Sequence, residues 1–111
     1  MSESFNDRRK ALEEKWAHDK ETRFKVLARR DRLLGEWAAG ELGLTGHEMQ
    51  VYAKSIVEAD LSRHGDDDVL KKIREDFAAR KIAHSDHVIR SQMEKLLTIA
   101  GEQVSGESRK T

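Results

Sequence analysis

The sequence contains no cysteine and no proline. Without cysteine there are no disulfides, no thiolate metal sites and no cysteine nucleophile. Without proline nothing interrupts a long helix, because no residue lacks its backbone N–H. Aromatic residues make up only 5% of the chain, so each of the six large rings carries weight. No apolar run approaches the roughly 18 residues that a membrane span requires. The N-terminus has no signal-peptide apolar region. These absences predict a soluble, intracellular, cytoplasmic protein without direct membrane insertion. The formal net charge is zero, whereas nucleic-acid-binding domains usually carry a basic excess. Nucleic acid is therefore not an expected partner.

What is present points to helices. Charged residues reach 38% against 37% hydrophobic, and a composition rich in Ala, Glu, Lys, Leu and Arg suits long helices. At 111 residues the length fits one domain. The charge is unevenly spread. Residues 1–34 hold ten Lys/Arg and seven Asp/Glu, an excess of +3 that the remainder cancels. A mildly basic N-terminal segment suits an acidic or nucleotide-loaded partner.

That segment, Phe5–Asp19, has a helical pattern but only three large apolar residues: Phe5, Leu12 and Trp16. Leu12 and Trp16 are one turn apart and Phe5 is seven residues before Leu12, so the three share one narrow stripe. Such a stripe does not offset the cost of ordering fifteen residues in water, at roughly 1–2 kcal/mol each for the backbone. In a partner's groove it would contribute. The expectation is a flexible arm over residues 1–19, carried by a helical body over 20–104 and followed by a disordered tail over 105–111.

The body divides into four helices. In the first, about 20–42, Phe24, Leu27, Leu34, Trp37, Ala38 and Leu42 form a wide apolar stripe, with Val26 and Leu33 beside it. Gly43 supplies its stop. Thr45 and Glu48 match a capping box ahead of a second helix, about 46–63, whose inward residues are Met49, Tyr52, Ala53, Ile56 and Val57, with Leu61 near the end. His64-Gly65 ends it. Asp66, Asp67 and Asp68 suit the positive end of a third helix, about 67–82, with Asp66 as its cap. Ser85 caps a fourth, about 86–104, striped by Ile89, Met93, Leu96, Leu97, Ala100 and Val104. No segment alternates with period two. Short connections favour antiparallel neighbours, so the predicted fold is all-α, an up-down four-helix bundle.

Reactive chemistry is poorly represented. The five histidines form no HExxH, and no Glu lies three residues before any of them, as a di-iron bundle would need. The sixth position from Asp66 is Lys71 rather than the glycine of a calcium loop. There is no GxSxG and no phosphate loop ending in GK[ST]. No catalytic or metal site is expected, no cofactor is required, and the chain does not look like an enzyme. Arg29-Arg30-Asp31-Arg32 is a basic cluster suited to a solvated face or to phosphate, with Arg90 of the fourth helix close if that helix lies beside the first. Arg29, Arg30 and Arg90 are the candidate nucleotide-binding residues, with ADP or ATP as a regulatory ligand. Trp37, at stripe spacing, is expected in the core. Trp16, the largest apolar residue of a polar arm, is expected as a binding anchor.

Several stretches together resemble one family. They are Phe5-Asn6-Asp7-Arg8, Glu13 and Lys15-Trp16-Ala17-His18-Asp19 in the arm, then Ala28-Arg29-Arg30 and Leu33-Leu34-Gly35-Glu36-Trp37-Ala38-Ala39. Later come Tyr52-Ala53-Lys54, Ala59-Asp60, Asp68-Val69-Leu70, Ser85-Asp86-His87, Ile89-Arg90 and Met93-Glu94-Lys95-Leu96-Leu97. In order and spacing the chain is similar to the zeta-subunit family of bacterial ATPase inhibitors over nearly its whole length. Asn6 stands where that family commonly has an acid, and Trp16 where it commonly has phenylalanine.

The resemblance implies a four-helix bundle with a mobile inhibitory N-terminus that blocks ATP hydrolysis by the F-type ATP synthase. It implies that this segment becomes helical in a catalytic interface between alpha and beta subunits and meets the gamma subunit. It also implies ADP/ATP binding to the bundle. On this reading Phe5, Asp7, Arg8, Arg9, Leu12, Lys15, Trp16 and His18 contact the partner. The free protein is monomeric, and lies peripherally at the inner membrane only through the synthase. His18, which titrates near neutrality, offers a pH switch in the arm. The alternatives are a nucleotide-sensing helical module and an adaptor whose arm fits some other helix groove.

Overall fold

The computed structural model describes residues 19–63 and 65–109, with the side chains of Arg63, Ser108 and Arg109 left aside. Residues 1–18, and with them every expected arm contact, lie outside the described residues, as do His64 and residues 110–111. The described chain forms four helices: α1 (Lys20–Glu41), α2 (Gly46–Arg63), α3 (Asp66–Ala79) and α4 (Asp86–Arg109). There is no strand among the described residues.

The helix ends follow from local chemistry. Asp19 is in extended backbone, φ −134° and ψ 168°, and its carboxylate accepts from the Thr22 backbone N–H at 2.7 Å. A side-chain cap satisfies one of the four orphan donors of a helix start. Helix therefore begins at Lys20 rather than running in from the arm. At the other end, the Leu44 N–H donates to Ala39 O and the Gly43 N–H to Gly40 O, with Gly43 at φ +80°. That pair of reversed bonds is a Schellman stop.

The third helix ends in the same way. The Ile82 N–H donates to Phe77 O and the Lys81 N–H to Ala78 O, with Lys81 itself left-handed at φ +59°. So α3 stops at Ala79, not 82, and Ile82 folds back against the core. Ser85 caps α4 as expected, its hydroxyl accepting from the Val88 N–H at 3.3 Å.

Cross-contacts give the directions. Arg30 of α1 meets Asp60 of α2, and Gly35 of α1 meets Ala53, so these helices run antiparallel. Arg30 also meets Asp66, and Trp37 meets Phe77, so α1 and α3 run parallel. Val26 packs with Val104, and Leu34 shares a cluster with Ile89 and Met93, so α1 and α4 run antiparallel. The result is the up-down four-helix bundle that the short connections suggest.

The core has two parts. Leu34, Ala38, Ile56, Val69, Ile73, Phe77, Ile89 and Met93 fill the main one, with Trp37 half-buried edge-on to Phe77 at 5.7 Å. Val26, Leu97, Ala100 and Val104 form a second layer between α1 and α4.

Four further expectations change. Phe24 is 53% exposed, while Val26, beside the expected stripe, is fully buried. Two residues are about 200° apart around a helix, so seating Val26 against α4 turns Phe24 outward. Leu61 is exposed as well, because Asp60 takes the inward position at that end of α2. Asp66 does not cap α3; Gly65 holds the cap position without a side-chain bond, and Asp66 is buried in the first turn. Finally, α4 continues to Arg109 rather than ending near 104, since Gln103 and Glu107 are held by Arg29 of α1 at 2.8 Å each.

The backbones of α1 and α2 come close together at Gly35. A Cβ built there would lie 2.5 Å from the Ala53 Cα, a backbone atom that cannot move alone. Gly40, on the same helix, would meet nothing within 4 Å. Ala is better than Gly in a helix by about 1 kcal/mol, while overpacking costs about 1–3 kcal/mol. Urea unfolding should therefore separate them: Gly35→Ala destabilises, and Gly40→Ala is neutral or stabilising by up to about 1 kcal/mol. Equal effects would remove the close-approach account.

Candidate functional site

The basic cluster of α1 does not behave as one surface. Adjacent residues on a helix point about 100° apart, and the structure uses the three arginines differently. Arg32 is exposed and lies 3.8 Å from Glu36. Arg29 crosses to α4, where its guanidinium donates to Gln103 and Glu107 at 2.8 Å. The Glu107 bond holds that guanidinium above its ordinary range. Arg30 is wholly buried.

Around Arg30 stand three carboxylates from three helices. Its Nε donates to Asp31 at 2.7 Å and one terminal nitrogen donates to Asp66 at 2.7 Å, with Asp60 at 3.7 Å. Relative exposures are 0% for Arg30, 2% for Asp31, 6% for Asp60 and 2% for Asp66. Full ionisation would leave one positive charge among three negative ones in a site closed to water, which is strongly disfavoured. A proton held on one of the acids would relieve this. Burial pushes the Asp31 carboxyl up to about 9 against the pull of Arg30, and a hydrogen bond with Asp60 raises it further. The same carboxylates hold Arg30 above its ordinary range despite burial.

Arg90 does not join this group. It is an exposed residue of α4, thirteen positions before Gln103, where Arg29 is anchored. At about 1.5 Å per residue that is roughly 20 Å along the helix. Helices α1 and α4 are neighbours, as the reading of Arg90 requires, but their antiparallel course sends Arg90 to the far end. The three candidate nucleotide contacts are thus dispersed: one in a buried network, one in a cross-helix pair, one at a distance. The bland account of the cluster, a solvated face, is also incomplete, since it fits Arg32 and not Arg30.

The face beside Arg29 is instead an open groove of about 590 Å³. Phe24, Ala28, Val57 and Val104 supply its apolar floor, and Lys25, Arg29, Arg32 and Glu107 its rim. Neither the groove nor the buried network was found by sequence reasoning. A signal for the network existed. Asp31 follows Leu27 by four and precedes Leu34 by three, and Asp60 follows Ile56 by four. Both acids sit on the apolar stripes, where an unpaired acid would not be tolerated.

No group of three or more His, Cys, Asp or Glu side chains arranged to hold a metal occurs among the described residues. No described helix is long and apolar enough to cross a membrane. A protein structure solved by solution NMR is similar to this chain at 34% identity and a TM-score of 0.67, over 76% of this chain and 95% of the other. The family model described as ATPase inhibitor subunit zeta matches residues 1–103.

The chain belongs to the ATPase inhibitor subunit zeta family. The match begins at residue 1, so the family pattern includes the polar arm as well as the bundle. No curated protein is a significant match. Membership gives the chain an inhibitory, regulatory role on the ATP synthase and agrees with the resemblance carried by its residues.

Two substitutions test the buried network. Arg30→Met leaves three buried acids without their cation and should cost about 3–5 kcal/mol in urea unfolding. Asp31→Asn tests the held proton. A carboxyl whose pKa is raised on folding favours the protonated state, so its contribution is fully present below about pH 4, its unfolded value, and falls as pH rises toward about 9. Asn cannot ionise. The stability of the wild type relative to Asp31→Asn should therefore decline steadily from pH 5 to pH 9. Parallel pH profiles would show that Asp31 is ionised in the fold.

Proposed function

We propose that this chain inhibits ATP hydrolysis by the F-type ATP synthase by inserting its N-terminal segment, as a helix, into a catalytic interface between alpha and beta subunits, where it meets gamma. The family match over residues 1–103 carries this reading. The structure supports a division of labour. The buried apolar side chains of the described bundle run from Val26 to Val104, and Asp19 closes the first helix with its own cap. The described core thus draws on residues of the bundle itself, and on this reading Phe5, Leu12 and Trp16 serve a partner.

Rotary catalysis requires each catalytic interface to open and close. A helix wedged in one conformation binds it better than the others and shifts the population toward it. Phe5, Leu12 and Trp16 are the buried anchors of this wedge, and Arg8, Arg9, Lys10 and Lys15 steer and orient it, with Asp7 and His18 at its polar contacts. Ordering the arm on binding lowers the affinity gained per contact and permits regulation. ADP or ATP remains a proposed regulatory ligand. With Arg30 enclosed and Arg90 remote, a phosphate would be met by the exposed cations nearest Arg29.

Deleting residues 1–18 should leave the bundle folded, with unchanged helical signal and cooperative unfolding, while abolishing inhibition of ATP hydrolysis by purified synthase. Trp16→Ala in the full chain should weaken inhibition by about 2 kcal/mol or more, a roughly thirtyfold rise in the half-inhibitory concentration. Full inhibition by the truncated protein would sink the wedge.

A further inference from the structure

The open groove at the α1 N-terminus has an occupant within reach. Its floor includes Phe24, a large ring left 53% exposed on a helix with few other exposed apolar groups. Its rim carries Lys25, Arg29 and Arg32 against one acid, Glu107. The extended backbone at Asp19 takes the chain off the α1 axis at this end of the bundle.

Reach is sufficient. Phe24 lies about 7 Å along α1 from Asp19 and Arg32 about 20 Å. Trp16 is three residues before Asp19 and Leu12 seven, which extended chain spans in about 10 and 24 Å. The charge match is slight: Glu13, Glu14 and Lys15 lie between the two apolar residues, a net of −1, and Lys25, Arg29 and Arg32 already face Glu21, Glu107 and Glu36.

We propose that in the free protein the groove formed by Phe24, Ala28, Val57 and Val104 reversibly docks the chain's own Leu12–Trp16 segment, storing the inhibitory arm against the bundle until the synthase competes for it. This rests on the reading of the arm as the inhibitory element. The contact is weak in itself: two apolar side chains and a slight, screened charge attraction. A short tether raises the local concentration to the millimolar range, enough to populate such a contact. The same side chains serve the groove and the synthase, so storage and inhibition exclude each other and the stored state sets the rate of onset.

The absence of cysteine makes the test clean. A nitroxide on the full chain through Ala11→Cys labels a single site. Paramagnetic loss of amide signal should be stronger at Val57 and Val104 than at Glu21, which is nearer to Asp19 in sequence, and Leu12→Ser with Trp16→Ser should abolish it. Loss that only decays with sequence distance from Asp19 and survives those substitutions overturns the proposal. So does loss that appears only between labelled and isotope-enriched copies in a mixture, which would place another copy's arm in the groove. Phe24→Ser, with the arm untouched, should release the arm, keep full final inhibition and speed its onset. An absent groove contact alongside intact inhibition removes the storage alone. Inhibition that persists without residues 1–18 removes the reading of the arm beneath it.

Discussion

A single guanidinium closed off from water ties three of the four helices together. Arg30 reaches Asp31 on its own helix, Asp60 on α2 and Asp66 on α3. Burying such groups is expensive, and a hydrophobic replacement of the set could be as stable. What the network supplies is register. Sliding α2 or α3 by one residue would turn a carboxylate about 100° away and strand the charge. Two of the departures from a simple apolar pattern follow from it: Asp60 displaces Leu61 from the inward position, and Asp66 gives up the cap of α3.

The network also locates the close packing around it. One and a half turns along α1 from Arg30, Gly35 lets the α2 backbone approach at Ala53. Farther along, Trp37 and Phe77 meet edge to face, and His84 stacks near both at 5.8 and 5.2 Å. On the other side of α1, Arg29 pins the C-terminal turns of α4. The first helix is thus the spine of the bundle, and its N-terminus is where the arm begins.

Much of the fold was legible in the residues. The four helices follow from stripe periodicity, with boundaries within a few residues, because capping residues and Gly43 mark them chemically. The end of α3 was misplaced because Lys81, a residue that rarely adopts left-handed backbone, does so there. The end of α4 was misplaced because its last turns are polar and are held by a side chain seventy-odd residues away. The family was legible too, from a combination of short matches spread along the whole chain, and the profile over residues 1–103 agrees.

The candidate site was less legible. Sequence put Arg29, Arg30 and Arg90 in one class because all are arginines on neighbouring helices. By itself it determined helix number, helix ends with local caps, the thin polar character of the first eighteen residues and the family pattern, all of which depend on residues a few positions apart. Only the tertiary structure decided which arginine is enclosed, which crosses to α4 and which stands about 20 Å away. It alone decided that Phe24 faces outward over a groove. The reason is that a helix fixes the angle between its own side chains, whereas the rotation of one helix against another is set by the whole packed interface.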